Sequence, residues 1–259
     1  MSHKVKSNDG TVIAYDTYGQ GPAVVISGGT VGDRSQQADL AQMLAKEFTV
    51  FNFDRRGRGE TELVGPYTRE GEYEDLDTMI NVAGGSAFVY GTSGPGVMVL
   101  LALSSRLLKS TVKKFVLWEP PFVLDGHIPS DYKQQLESLL AEGRRGDMVA
   151  LFLTAAVGMP KEVVDSMRQM PFWPAQEAFA HTLVNDAKLM GDYLIPEDRI
   201  SRVNVPTLVI DGGLTPFLTA ASDEVAAAMP NAKRVTLRGQ PHNVDAKVIA
   251  PAIIEFFKG

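Results

Sequence analysis

The sequence predicts a mostly parallel, doubly wound α/β sheet of about eight strands with a helical lid inserted after the sixth. Two observations carry this. Short β-rich runs alternate with helical patterns along both ends of the chain, which calls for a parallel sheet covered by helices on each face. In between, from about residue 130 to residue 190, no strand-like run occurs. At 259 residues the chain suits one large α/β domain or one domain carrying an insertion.

The elements follow in order. Residues 11–18 alternate in polarity after the Asp9-Gly10 turn and read as a strand. Residues 23–26 form a continuous apolar run that ends in Ser27-Gly28-Gly29. Residues 40–48 have helical spacing, with Leu40, Met43, Leu44 and Phe48 on one face. A strand over 48–53 is stopped by Asp54-Arg55-Arg56-Gly57, and residues 72–82 are helical. A strand over 87–90 leads into a helix over 94–108, and a strand over 114–118 ends at Glu119-Pro120-Pro121. The helical middle is broken at Gly143, Gly146, Gly158-Met159-Pro160, Pro171 and Pro174. Alternation returns with a strand over 205–210, a helix over 218–229, a strand over 234–237 and a last helix over 248–257. The expected division is a core of residues 1–121 and 203–259 with a lid of 122–202. In open α/β sheets ligands bind at the carboxyl edge, so a lid there would bury a pocket.

Composition narrows the function classes. Hydrophobic residues make up 44% and charged residues 22%, ordinary for a soluble globule. The formal net charge of −6 argues against nucleic acid or anionic membrane as partner. Arg55, Arg56 and Arg58 form a short basic cluster, but Asp54 and Glu60 flank it. Without cysteine there is no disulfide, thiolate metal site or cysteine nucleophile. The four histidines are scattered, so neither a metal nor a cofactor is expected. The N-terminus is polar and lacks a signal-peptide core, and no apolar run reaches membrane-spanning length. The expectation is a cytoplasmic protein acting on a small molecule, with a homodimer compatible with the sequence.

The chemistry centres on Tyr90-Gly91-Thr92-Ser93-Gly94-Pro95-Gly96, which runs from a strand into a helix. A nucleophile on such an elbow needs small neighbours two residues to either side, because strand and helix pass close together. Gly91 satisfies this. Pro95 stands where the second glycine is expected, a departure that the first turn of a helix tolerates. The Gly94 amide is free to donate to an oxyanion. Taken by itself, the segment also fits a serine helix cap or a phosphate-binding loop.

The ordered landmarks resemble the α/β-hydrolase family across nearly the whole chain. Asp9-Gly10-Thr11, Ile13-Ala14-Tyr15 and Gly19-Gln20-Gly21-Pro22 are similar to that family's opening hairpin. Ser27-Gly28-Gly29 stands at its oxyanion turn, Asp54-Arg55-Arg56-Gly57-Arg58-Gly59 resembles its D-x-R-G-x-G segment, and Gly239-Gln240-Pro241-His242 its late histidine. More narrowly, the chain resembles small lidded bacterial hydrolases with a Glu-Pro-Pro-Phe segment. The resemblance implies Ser93 as nucleophile, His242 as base and the amides of Gly29 and Gly94 as oxyanion hole.

The acid is displaced. Its usual position after the 205–210 strand is Thr215. Two candidates remain, Glu119 at the end of the sixth strand, where haloalkane dehalogenases of this fold keep a catalytic glutamate, and Asp211 at the end of the seventh. Asp223 and Asp245 are expected to be solvated. Asp33 and Arg34 are expected to form an ion-paired turn, and His181 to be a packing residue. Trp118, Phe122, Trp173 and Phe217 are expected to line an apolar pocket. The activity implied is hydrolysis of carboxylic esters, lactones included, through an acyl-enzyme, as in carboxylesterases. The alternatives are another reaction on the same apparatus (perhydrolase or haloperoxidase-like, C–C hydrolase, lyase) or a non-catalytic ligand-binding relative.

Overall fold

A computed structural model describes residues 2–259. One sheet of eight strands organises it: β1 (Ser2–Lys6), β2 (Val12–Tyr18), β3 (Ala23–Ser27), β4 (Thr49–Phe53), β5 (Ser86–Thr92), β6 (Thr111–Trp118), β7 (Thr207–Gly213) and β8 (Ala232–Gln240). Their spatial order is β1-β2-β4-β3-β5-β6-β7-β8. β2 pairs antiparallel with both β1 and β4, and every other pairing is parallel. β1 was not foreseen. It is an edge strand in which Val5 alone is half-buried, too weak a pattern to stand out in sequence.

The inner strands show why parallel sheets read as continuous apolar runs: both faces are covered. Val24, Ile26, Tyr90, Val116, Trp118, Leu208 and Ile210 point to one face, where α1 (Ala38–Leu44) and α11 (Ala246–Lys258) pack. Val25, Val89, Phe115, Leu117 and Val209 point to the other, under α2 (Arg69–Val82), α3 (Ser93–Ser105) and α10 (Pro216–Ala228).

Between β6 and β7 the chain is helical, as expected: α4 (Tyr132–Ala141), α5 (Arg145–Leu151) continuing into a π turn, α6 (Lys161–Met167), α7 (Trp173–Phe179), α8 (Leu183–Met190) and α9 (Glu197–Ile200). Leu136, Met148, Trp173 and Leu189 from this segment belong to the same buried cluster as Val97, Met98 and Leu100 of α3. These helices therefore share the core of the sheet domain. Among the described residues no helix is long and apolar enough to cross a membrane.

Polar contacts tie the segment down as well. Arg55, Arg56 and Arg58, in the loop after β4, are all buried. Arg55 makes a two-pronged pair with Glu72 of α2 at 2.8 and 2.7 Å. Arg56 does the same with Asp75 at 2.7 and 2.8 Å, and also reaches Asp9 in the β1–β2 turn at 2.8 Å. Arg58 holds both oxygens of Asp186 on α8 at 2.7 and 2.8 Å, and Arg55 touches Asp186 at 3.2 Å. The basic cluster is thus answered by distant carboxylates, while its neighbours Asp54 and Glu60 pair with Arg34.

Removing one partner of a buried ion pair leaves an uncompensated charge, so Asp186→Asn is expected to lower stability by about 3 kcal/mol or more. Urea denaturation measures it; a loss under about 1 kcal/mol, the range of a surface pair, would show that Asp186 does not anchor α8.

Candidate active site

The carboxyl ends of β5, β6 and β7 and the loop after β8 bring the predicted residues to one edge. Thr92 is the register partner of Trp118, and Trp118 of Ile210, so Ser93 and Glu119 leave adjacent strands side by side. Both have left-handed backbones, Ser93 at φ 55° and Glu119 at φ 43°. Such angles are uncommon outside glycine and concentrate where the surrounding structure imposes them.

At Ser93 the imposing structure is the crossing of β5 and α3. A Cβ on Gly91 would lie 2.6 Å from the Gly96 Cα, and one on Gly96 would lie 2.9 Å from the Gly91 carbonyl carbon. The second glycine of the elbow is therefore Gly96, three residues after the serine. Pro95 lies buried beside the crossing rather than in it, and its carbonyl accepts a long bond from Ser27 Oγ at 3.5 Å. The missing amide of Pro95 costs nothing, because the first turn of a helix has no acceptor for it.

Glu119 is 1% exposed, and both carboxylate oxygens are committed. Oε1 accepts from the Gly212 amide at 2.8 Å, and Oε2 lies 2.6 Å from His242 Nδ1. Its own amide donates to the Ile210 carbonyl at 2.9 Å. His242 is also held by its backbone, since the Trp118 indole Nε1–H donates to the His242 carbonyl at 2.9 Å. With Nδ1 occupied by Glu119, Nε2 is the nitrogen left for chemistry, on a side chain 40% exposed. Gly212 is indispensable here: a Cβ would fall 1.9 Å from the Gln240 carbonyl oxygen.

Asp211, the rival acid, is engaged elsewhere. Its carboxylate lies 2.8 Å from Arg234, accepts from the Gly213 amide at 3.0 Å and takes the Thr219 hydroxyl. Burial alone would raise its pKa. The Thr219 and Thr236 hydroxyls and the Arg234 guanidinium outweigh burial and hold it below the usual carboxylate range. The structure brings Glu119, and not Asp211, to His242. Asp223 is exposed but pairs with Arg234 at 2.9 Å, and exposed Asp245 caps α11 through the Lys247 amide at 2.8 Å.

The Gly29 backbone has φ +91°, and the Gly94 amide lies in the first turn of α3, without an intrahelical partner. Arg34 is ion-paired as expected, though with Asp16, Asp54 and Glu60; the Asp33 carboxylate caps the Ser35 amide instead. His181 bonds the Gly57 carbonyl through Nε2 at 3.1 Å.

The expected aromatic pocket is not assembled. Trp118 is fully buried on the α1/α11 face, opposite the face that holds Phe122 and Trp173. Trp173 is spent on Glu177, which accepts from its indole at 2.8 Å, and on Arg168, 5.6 Å from its ring. Phe217, half-buried at the start of α10, keeps some surface. A cleft of about 990 Å³ does exist, between the loops after β3 and β4 and the α7–α8 region, lined by Arg34, Gly57, Leu63, Phe179, His181 and Asn185. Neither Ser93, Glu119, His242 nor any of the four aromatics lines it. Among the described residues no cluster of metal-binding side chains occurs.

A scan against protein-family models finds no match. Solved structures are more informative. An α/β hydrolase from Sphaerobacter thermophilus is 45% identical, with 98% of this chain and 100% of that one covered and a TM-score of 0.92. The chain belongs to the α/β-hydrolase family. An esterase from Thermogutta terrifontis (21% identity, TM-score 0.76, 100% and 98% covered) and an enol-lactonase from Burkholderia xenovorans (23%, 0.74, 99% and 100%) share the fold.

The Asp211 geometry has a pH signature. A carboxyl whose folded pKa is depressed stabilises the fold above its unfolded value, about 4, and loses that contribution as pH falls through the lower folded value. Asp211→Asn is therefore expected to melt below the parent near neutral pH, with the gap closing as pH drops below about 4. A gap that stays constant in calorimetry across that range would exclude the ion-paired role.

Proposed function

We propose that this protein is a serine hydrolase that cleaves carboxylic ester bonds, lactones included, in a small-molecule substrate. The observation that carries the reading is the 2.6 Å contact between Glu119 and His242 Nδ1, made beside a serine on a strained elbow. In this mechanism the Ser93 Oγ attacks the acyl carbon while its proton passes to His242 Nε2. Glu119 fixes the ring tautomer and stabilises the imidazolium. The amides of Gly29 and Gly94 hold the oxyanion. Collapse breaks the bond to the alkoxy oxygen, which takes the proton back from His242. Water then repeats the sequence on the acyl-enzyme and releases the acid.

The helical segment, residues 122–202, acts in this reading as a cap over the carboxyl edge of the sheet. Its tether through Asp186 to the loop after β4 supports that placement. Of the four aromatics expected in the pocket, Phe217 is the one with surface for a substrate to touch.

A fluorophosphonate probe and p-nitrophenyl acetate test the proposal. The parent should label and turn over. Ser93→Ala and His242→Ala should each lose about 10⁶-fold in kcat, and Glu119→Gln about 10⁴-fold. Asp211→Asn should stay within about three-fold of the parent in kcat, since the Asp211 carboxylate is engaged by Arg234, the Gly213 amide and Thr219 and does not meet His242. Parental turnover in Ser93→Ala would remove Ser93 from the mechanism. Near-parental kcat in Glu119→Gln, with Asp211→Asn inactive, would reverse the assignment of the acid.

A further inference from the structure

The cleft of about 990 Å³ takes no part in the chemistry proposed above, since Ser93, Glu119 and His242 do not line it. Its volume falls in the range of sites that hold a small organic ligand. Its walls carry an excess of negative charge. Asp16, Asp33, Glu60 and Glu62 line it against one guanidinium, that of Arg34. Arg34 is already shared, pairing with Asp16 at 2.8 Å, with Glu60 and with the buried Asp54. Lys4 reaches Glu60 at 3.8 Å, with both side chains exposed. Among the described residues Asp33 and Glu62 have no cationic partner; one Asp33 oxygen accepts from the Ser35 amide at 2.9 Å, and Glu62 is exposed. The carboxylates do not converge on one point, and no cluster among the described residues suits a metal ion. A field spread in this way favours an organic cation over a divalent metal, which needs its oxygens at roughly 2.0–2.6 Å around one centre.

A second observation points to a ligand. Asn185 of α8 is 8% exposed and lines the same cleft, and its carboxamide makes no hydrogen bond among the described residues. A buried polar group left unmet is costly and uncommon in native structures. The residue is held in place on both sides. Its neighbour Asp186 has both oxygens taken by Arg58 at 2.7 and 2.8 Å, and four residues earlier His181 Nε2–H donates to the Gly57 carbonyl at 3.1 Å. Leu63 and Phe179 add half-buried apolar surface to the lining.

We propose that this cleft binds a small primary ammonium ion carried on an apolar alkyl or aryl body. A primary ammonium has three N–H donors. One goes to the Asn185 carboxamide oxygen and the others to the carboxylates that Arg34 leaves in excess, while the apolar body lies against Leu63 and Phe179. Because the wall is fixed before the ligand arrives, little ordering cost opposes binding. No bond is made or broken, and the site stands whether or not Ser93 is a nucleophile.

Titration calorimetry near neutral pH tests this with phenethylammonium, beside neutral phenethyl alcohol and anionic hydrocinnamate. The parent should bind the ammonium ion, bind the alcohol at least about ten-fold more weakly, and show no heat with the anion. Raising salt from about 20 mM to about 200 mM should weaken the ammonium ion and leave the alcohol unchanged. Asn185→Leu should weaken the ammonium ion about ten-fold, and Asp33→Asn combined with Glu62→Gln about three-fold to ten-fold. The double variant keeps an acceptor for the Ser35 amide, so its melting temperature should match the parent, and it carries the test alone if Asn185→Leu does not fold. No binding of the ammonium ion by the parent would overturn the proposal. Equal affinity for the ammonium ion and either comparator would do the same. So would parental affinity in either folded variant, which would seat the ion outside the cleft.

Discussion

Three guanidinium groups are buried behind the carboxyl edge of this sheet, and the architecture around them is arranged to neutralise them. Arg55, Arg56 and Arg58 reach α2, the first hairpin and α8 from a single loop. Desolvating a charge costs several kcal/mol unless geometry and partners are good. Here the partners are two-pronged carboxylates, and the fit constrains backbone as well: a Cβ on Gly71 would lie 2.2 Å from Arg56 Nη1. The helical segment is therefore seated by charge at one end and by a shared apolar core along its length.

At the carboxyl ends of β5 and β6 a second constraint holds the candidate site together. Glu119 follows β6, donates its amide to the Ile210 carbonyl of β7, and with its carboxylate accepts from the Gly212 amide of β7 and holds the histidine after β8. The position after β7 that usually carries the acid holds Thr215, the residue that precedes α10. Asp211 serves a different end, fastening α10 and β8 through Thr219 and Arg234.

Much of this was legible in the chain. Period-two and helical patterning gave the layers, and the position of Glu119 at a strand end nominated it beside Asp211. What separated the two acids was not legible, because it depends on which carboxylate is already satisfied by partners distant in sequence. The same holds for the arginines, whose partners lie up to 131 residues away, while the nearby Asp54 and Glu60 turned out to serve Arg34. The elbow departed from expectation by one residue: the crossing glycine is Gly96, which the pattern of spacing alone placed at Pro95. The aromatic pocket failed for a simpler reason. Strand parity sends Trp118 to the opposite face from Leu117, and proximity in sequence to Glu119 concealed that.

The placement of Trp118 has a spectroscopic consequence. The chain has two tryptophans. One hangs the loop of His242 from its indole nitrogen on the α1/α11 face; the other sits in the helical segment against Arg168 and Glu177. Intrinsic fluorescence therefore divides between two indoles on opposite sides of the sheet. Replacing Trp173 with phenylalanine would leave a single emitter hydrogen-bonded to the backbone of the histidine, a built-in optical reporter for any movement of that loop.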